Sequence, residues 1–531
     1  MQRNFLKYLC FALIITLFGC ARRGSLTGGF KDTLAPVLKS SVPKNFTTNF
    51  KGNEIKLYFD EYVKLKNVNK QLIISPPMTN APDVSPFNAS KFITIKIKDT
   101  LRANTTYSFN FGQSIEDNNE QNPYQQFKYV FSTGEFIDSL KLEATVTDAL
   151  EKKTKNFVSV MLYEVDEKYT DSIIFKQVPR YVTNTLDSLK TVQFENLKEG
   201  TYKLVAIKDV NGNNKYDPKT DRIGFRKEVI TLPNDSTYDL KLFKEESAYK
   251  SINISQPAKN KLLLGYEGNP KDVKVEIKKG TETIPVLLTK FPKKDSLQVW
   301  YPSIKDDSLS VVISKSNYSK TYAIKVKEQK KDSISFTSTQ SILNFRDKFT
   351  ITSGTPITKI DFSKIQLMNK DSVATKFTAD YDDFNQELKF NFDSQPSEKY
   401  TITILPKAFT EYNERTNDSL KFQFTTKPLE DFGNLKVVLE NLKRFPVIVE
   451  LTDKDGKVIA SEYSEKETII NFNLVIPSLF TMRLIYDDNK DRMWTPGSFL
   501  EQRQSEEVIY FPKEVDVRAN WDVEQPFDVG G

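Results

Sequence analysis

The sequence predicts an all-β chain of tandem antiparallel β-sandwich modules behind a signal-bearing N-terminus. Three observations carry this: short runs alternate apolar with polar residues, clusters of Asn, Asp, Gly, Pro and Ser separate the runs, and helical periodicity is scarce. At 531 residues, with about 100 to 200 residues per domain, the chain has room for roughly three to five modules.

At the N-terminus, Arg3 and Lys7 precede an apolar stretch from Leu9 to Phe18, the plan of a secretory signal. The stretch is too short for a spanning helix, which needs about 20 apolar residues. Leu17-Phe18-Gly19-Cys20 resembles a bacterial lipobox, which implies cleavage after residue 19 and lipidation of Cys20. Acyl chains contribute about 0.8 kcal/mol per buried CH₂, so two or three hold a protein at a membrane. Ala21 stands where inner-membrane retention signals place Asp, and this likeness to Gram-negative sorting implies the outer membrane. Arg22 and Arg23 stand where surface-exported lipoproteins of the Bacteroidota often carry acids, which leaves the membrane face open. Residues 20–34 read as the anchor and a flexible tether.

The strands follow in order. Ile55, Leu57 and Phe59 share one face of a run, as do the alternate residues of Phe92 to Ile97. Further runs are Tyr107 to Phe111, Tyr129 to Phe131, Thr201 to Ile207, Val273 to Ile277, Leu309 to Ile313, Thr401 to Leu405, Lys421 to Phe424 and Met482 to Tyr486. Each predicts a half-buried strand. The chain also matches itself. Asn104 to Phe111 has a counterpart in Ser397 to Ile404, and Thr201 to Asp209 has one in Thr481 to Asp487. Both members of the second pair lead through an Asp/Asn-rich loop to a second strand, Glu228 to Pro233 and Glu507 to Pro512. The order is therefore A (35–136), B (137–245), a spacer β module (246–335), A′ (336–430) and B′ (431–531).

Pro36-Val37, Ser41-Val-Pro-Lys44, Phe59-Asp60-Glu61-Tyr62-Val63 and the closing Phe131-Ser132-Thr133-Gly134 make module A resemble the bacterial Ig-like domain first described in S-layer proteins. On the turn and strand at Glu199-Gly200-Thr201-Tyr202, B and B′ resemble transthyretin-like or carboxypeptidase-regulatory β-sandwiches. Anchor and module order together resemble an Ig-like-domain lipoprotein family of the Bacteroidota. Such modules imply spacers, adhesive surfaces or subunits of envelope complexes, without chemistry of their own.

Composition narrows the chemistry. There is no histidine, and the only cysteines are Cys10 and Cys20, so His-dependent zinc sites, Ser-His or Cys-His catalytic pairs and a disulfide framework are excluded. A net charge of +6 from 76 Lys and Arg against 70 Asp and Glu is too small to indicate a nucleic-acid partner. With 38% hydrophobic and 12% aromatic residues, the chain can still bury sizeable cores. Asp60-Glu61 points its carboxylates to opposite strand faces, and Ser41-x-x-Lys44 lies in a β module rather than at a helix start. The sequence contains no P-loop and no Rossmann fingerprint.

The sharpest constellation is Asp209, Asn211, Asn213, Lys215 and Asp217, at positions 1, 3, 5, 7 and 9 of a loop. Calcium takes six to eight oxygens from such alternating positions, and the spacing resembles the first nine residues of an EF-hand loop, in which position 7 supplies a main-chain carbonyl. Position 6 is Asn214 rather than Gly, and position 12 is Thr220, with Asp221 as the expected late carboxylate. The counterpart loop offers Asp487, Asn489, Asp491 and Met493, with Thr495 at position 9 and Glu501 as the expected distal carboxylate. Lys490 and Arg492 oppose a cation there, and a solvated turn without an ion accounts for the same residues. Trp300-Tyr301-Pro302 and Trp494 are candidate stacking surfaces for sugars or peptides.

These readings converge on a non-enzymatic, lipid-anchored outer-membrane scaffold or adaptor. Its expected partners are outer-membrane proteins such as a β-barrel complex, and calcium braces its loops. The competing reading is a cell-surface glycan- or peptide-binding protein.

Overall fold

The computed structural model describes residues 32–530 except 187–189, 281, 293 and 305–307. The signal segment, Cys20 and residues 21–31 lie outside the described residues. The described chain is all-β, and its longest α-helix is the single turn Val68–Gln71. No described helix is long and apolar enough to cross a membrane. The described residues form two compact units: 32–141 with 181–186 and 194–198, and 142–180 with 190–193 and those described from 199 to 530.

In the first unit, strands Leu38–Val42, Glu54–Leu65, Ser90–Lys96 and Asp83–Ser85 lie side by side, and Ile115–Asp117 pairs with the far half of Glu54–Leu65. A second sheet is formed by Ile73–Ser75, Thr106–Asn110 and Lys128–Ser132. Alternation decides what faces inward, because successive strand residues point to opposite faces. Ile55, Leu57, Phe59, Ile93 and Ile95 meet Phe109, Tyr129 and Phe131 in one core. Each such burial stabilises by about 1.5–3 kcal/mol.

The second unit contains the other cores. In B, Gly200–Lys208 lies between Ser159–Glu164 and Arg222–Phe225, and Leu140–Asp148 pairs with Thr237–Leu242. The spacer carries two four-stranded sheets around Leu262, Leu264, Ile277, Val299 and Val311. A′ stacks the sheet of Phe336–Thr337, Phe349–Ser353, Glu387–Asn391 and Thr378–Asp382 on that of Ile342–Leu343, Leu420–Thr426, Lys399–Ile404 and Ile365–Met368. B′ repeats the plan of B: Ser478–Tyr486 lies between Val447–Thr452 and Val508–Val517, and Gly433–Glu440 pairs with Asp522–Asp528.

The sandwiches are not purely antiparallel. Leu140–Asp148 with Thr237–Leu242, Gly433–Glu440 with Asp522–Asp528, and Ile342–Leu343 with Leu420–Thr426 are parallel pairs. Alternation in sequence reports which face a residue takes and carries no information about strand direction, so this feature was not visible in the sequence.

Candidate functional site

Both Asp/Asn loops close hairpins. Lys208 pairs with Arg222 across the first loop, and Ile485 pairs with Val508 across the second. Their internal wiring is alike. The Asp209 carboxylate accepts the N–H groups of Gly212 and Asn214, each at 2.7 Å. That of Asp487 accepts those of Asp491 (3.1 Å) and Arg492 (2.9 Å). In both, the sixth loop residue has a left-handed backbone: Asn214 at φ 54° and Arg492 at φ 64°. Asn tolerates this conformation well, whereas Arg492 is held by its Asp487 bond and by stacking over the Tyr463 ring at 4.6 Å.

A late carboxylate closes each turn. Buried Asp221 accepts the N–H of Val210 at 3.1 Å and that of Asp217, position 9, at 2.9 Å. In the second loop this role belongs to Glu506, which accepts from Asn489 (3.4 Å) and from Thr495, again position 9, at 2.8 Å. Glu501 does not take it. It is exposed and paired with Arg503 at 3.3 Å, because the chain between the turn and the strand swings out to pack elsewhere. Glu506 escaped the spacing argument, yet a positional signal exists: like Asp221, it sits just ahead of the returning strand. Its carboxyl is held above the ordinary range by burial and then by the nearby charge of Asp487.

The remaining loop residues take lesser parts. Asn213 accepts the Lys215 N–H at 2.9 Å, and Asn211 reaches the Thr220 hydroxyl at 3.4 Å. Asn489 donates to Thr495 (2.7 Å) and Asp491 (3.1 Å), while Met493 is exposed and donates its N–H to Asp491. No group of three or more His, Cys, Asp or Glu among the described residues is gathered as a metal-ligand cluster. A cation here would have to draw on Asn and main-chain oxygens besides the carboxylates.

The two loops meet at one residue. Glu245 accepts the Tyr216 hydroxyl of the first loop and the Phe499 N–H of the second, each at 2.6 Å. The Phe499 ring is fully buried against Phe225 (5.1 Å, edge-on) and Phe175 (6.4 Å). Gln502 bonds Lys203 and Asp171, each at 3.0 Å, and Gln504 bonds the Phe225 carbonyl at 2.9 Å. From the B′ sheet, Arg483 and Tyr510 both donate to the Leu150 carbonyl. The far end of the second loop is therefore a plug seated in B.

The other candidates are not assembled into sites. Trp300 and Tyr301 are buried, not presented: the indole N–H donates to Thr289 at 3.0 Å, and the Lys261 ammonium sits 4.7 Å from the indole centroid. Trp494 is half-buried and donates to the Glu506 carbonyl at 3.2 Å. Asp60 accepts the Val37 N–H at 2.8 Å, and Ser41 accepts that of Asn45 at 2.9 Å.

The family described as bacterial Ig-like domain matches residues 32–133. Module A is a bacterial Ig-like domain. The family described as uncharacterized protein conserved in bacteria (DUF2141) matches residues 146–261, running through the strand Lys250–Ala258 and ending at the first residue of the strand Lys261–Glu267. The chain thus carries a bacterial Ig-like domain followed by a DUF2141 domain within an all-β array. Bacterial Ig-like domains are cell-envelope and surface modules, typically non-enzymatic. No curated protein matches the chain. Among solved structures, the S-layer protein rSbsC(31-844) is 12% identical, with 91% of this chain and 67% of that one covered at a TM-score of 0.17. The major pilin subunit BcpA of Bacillus cereus is 12% identical (74% and 99% covered, TM-score 0.14). Bacteroides ovatus SGBP-B, in complex with a mixed-linkage heptasaccharide, is 14% identical (70% and 93%, TM-score 0.20). At these scores the likenesses carry no functional weight.

Proposed function

We propose that this protein is a non-enzymatic scaffold or adaptor subunit of an envelope complex, lipid-anchored to the outer membrane through Cys20, with calcium bracing its two Asp/Asn loops. The observation that supports it best is the plug: Phe499 and Gln502 of B′ sit in B, so B and B′ are tied across the 185 or so residues between them. A presenting surface needs such fixed geometry, and it needs no reactive group. In this reading the ions act structurally, because an ion that binds only the folded loop stabilises it by mass action. B and B′ keep a transthyretin-like role as rigid sandwiches.

The test is a detergent pull-down of the full-length protein from its native membrane, with calcium in one sample and chelator in the other, read by mass spectrometry. A stoichiometric outer-membrane partner, lost in chelator, is the expected result. Recovery of the protein alone in both samples refutes the adaptor reading. A Cys20→Ser variant that still partitions into detergent refutes the anchor.

A further inference from the structure

We infer that the solvent face of the first sheet of module A is a stacking platform for a neutral glycan chain. This goes beyond the scaffold reading and does not rest on it. Tyr58 and Phe92 are directly opposed on neighbouring strands, with ring centroids 6.0 Å apart and exposures of 37% and 42%. Four residues further along the same strand, past a shift in register, Tyr62 is 56% exposed, and the Lys91 ammonium lies 5.5 Å from its ring.

Module A′ supplies an internal control. Its strands pair Phe349 with Phe390, Ile351 with Leu388 and Thr352 with Glu387, in the same steps as Ile55 with Ile95, Leu57 with Ile93 and Tyr58 with Phe92. The inward residues are apolar in both copies, as the core demands. The outward pair is aromatic in A and Thr with Glu in A′, so the fold does not require rings there. Exposing them forgoes their burial and needs another reason.

The surroundings select the ligand class. Lys39 faces Asp60 at 4.0 Å and Lys56 faces Glu54 at 3.1 Å, so charged side chains border the rings in opposite-sign pairs. A protein interface core is depleted of charge and spans 20 to 30 residues a side, by order of magnitude. Nucleic acid needs cations without acidic neighbours. A pyranose ring has an apolar C–H face for an aromatic ring and equatorial hydroxyls for the polar side chains around it, which is the mixture found here.

The experiment is affinity electrophoresis of the full chain through gels containing hydroxyethyl cellulose, arabinoxylan, galactomannan or dextran, with alginate as the anionic control. The variant is Tyr58→Thr with Phe92→Glu, which installs the residues that A′ already accommodates at these positions. A melting curve checks its fold. Retardation by at least one neutral polysaccharide, lost in this variant and kept in Thr352→Ala with Glu387→Ala, is the expected result. Retardation by none, by alginate alone, or to the same degree in the Tyr58/Phe92 variant overturns the proposal, as does capture of a protein partner by this face without polysaccharide binding.

Discussion

The perturbation that most directly tests the joining of B and B′ is Phe499→Ala. A phenylalanine buries about 150–250 Å², which at about 25 cal/mol/Å² gives an upper bound of about 4–6 kcal/mol. Truncations of buried Phe cost about 3–5 kcal/mol. The Glu245 bond to the Phe499 N–H and the Gln502 bonds remain possible in the variant, so the loss concerns the ring alone. Hydrogen exchange of the full chain reads it locally, at the peptides covering 171–177 and 487–506. With about 1.4 kcal/mol per factor of ten, exchange there should quicken about a hundredfold or more. The neighbouring control is Leu500→Ala: that side chain is 63% exposed, and its removal should stay within about 0.5 kcal/mol. Equal, small effects in both variants would show that the plug does not hold B′ to B.

Three further outcomes follow from the same structure. A Cβ at Gly497 would collide with the Phe243 ring and lie 2.7 Å from the Arg503 carbonyl oxygen, so Gly497→Ala should lower stability by about 1–3 kcal/mol and raise exchange in the same two segments. Asp117 in module A accepts four main-chain N–H groups at 2.7–3.1 Å, which outweigh its burial and hold its carboxyl below the ordinary range. Asp117→Asn should cost about 2–4 kcal/mol at neutral pH in urea unfolding, and the difference from wild type should vanish as pH falls through the depressed native pKa. Glu506 has the opposite sign. Its native pKa is raised, so in chelator stability falls as pH climbs from the ordinary carboxylate range through the native value, then levels. Added calcium should flatten this decline, and Glu506→Gln should remove it; melting curves from about pH 4 to about pH 8 read both.

What was legible in the sequence was the facing of side chains. Ile55, Leu57 and Phe59 announce their burial by period alone, and the Thr201 and Thr481 matches announce two strands of one design. Tertiary contacts defeated the rest. Trp300 reads as a surface aromatic, yet Thr289 offers a hydroxyl to its N–H and Lys261 covers its ring, and neither neighbour can be known from local spacing. Glu501 was the natural distal carboxylate by count. The count fails because the segment after Trp494 leaves the turn to carry Phe499 into B, and the chain returns only at Glu506.

The likeness of B and B′ extends to the residues at their contact. Lys203 and Arg483 occupy equivalent places in Thr201-Tyr-Lys-Leu and Thr481-Met-Arg-Leu, and both are buried cations. A buried cation in a free-standing sandwich would be costly unless paired. Here each is satisfied partly within its own module and partly across the contact: Lys203 by the Lys227 carbonyl and by Gln502, Arg483 by Glu450 and by the Leu150 carbonyl. Each module therefore supplies a buried cation whose remaining hydrogen bond is met by the other, although the two acceptors, a side-chain amide in the plug and a main-chain carbonyl after the strand Leu140–Asp148, lie at different places in the two copies.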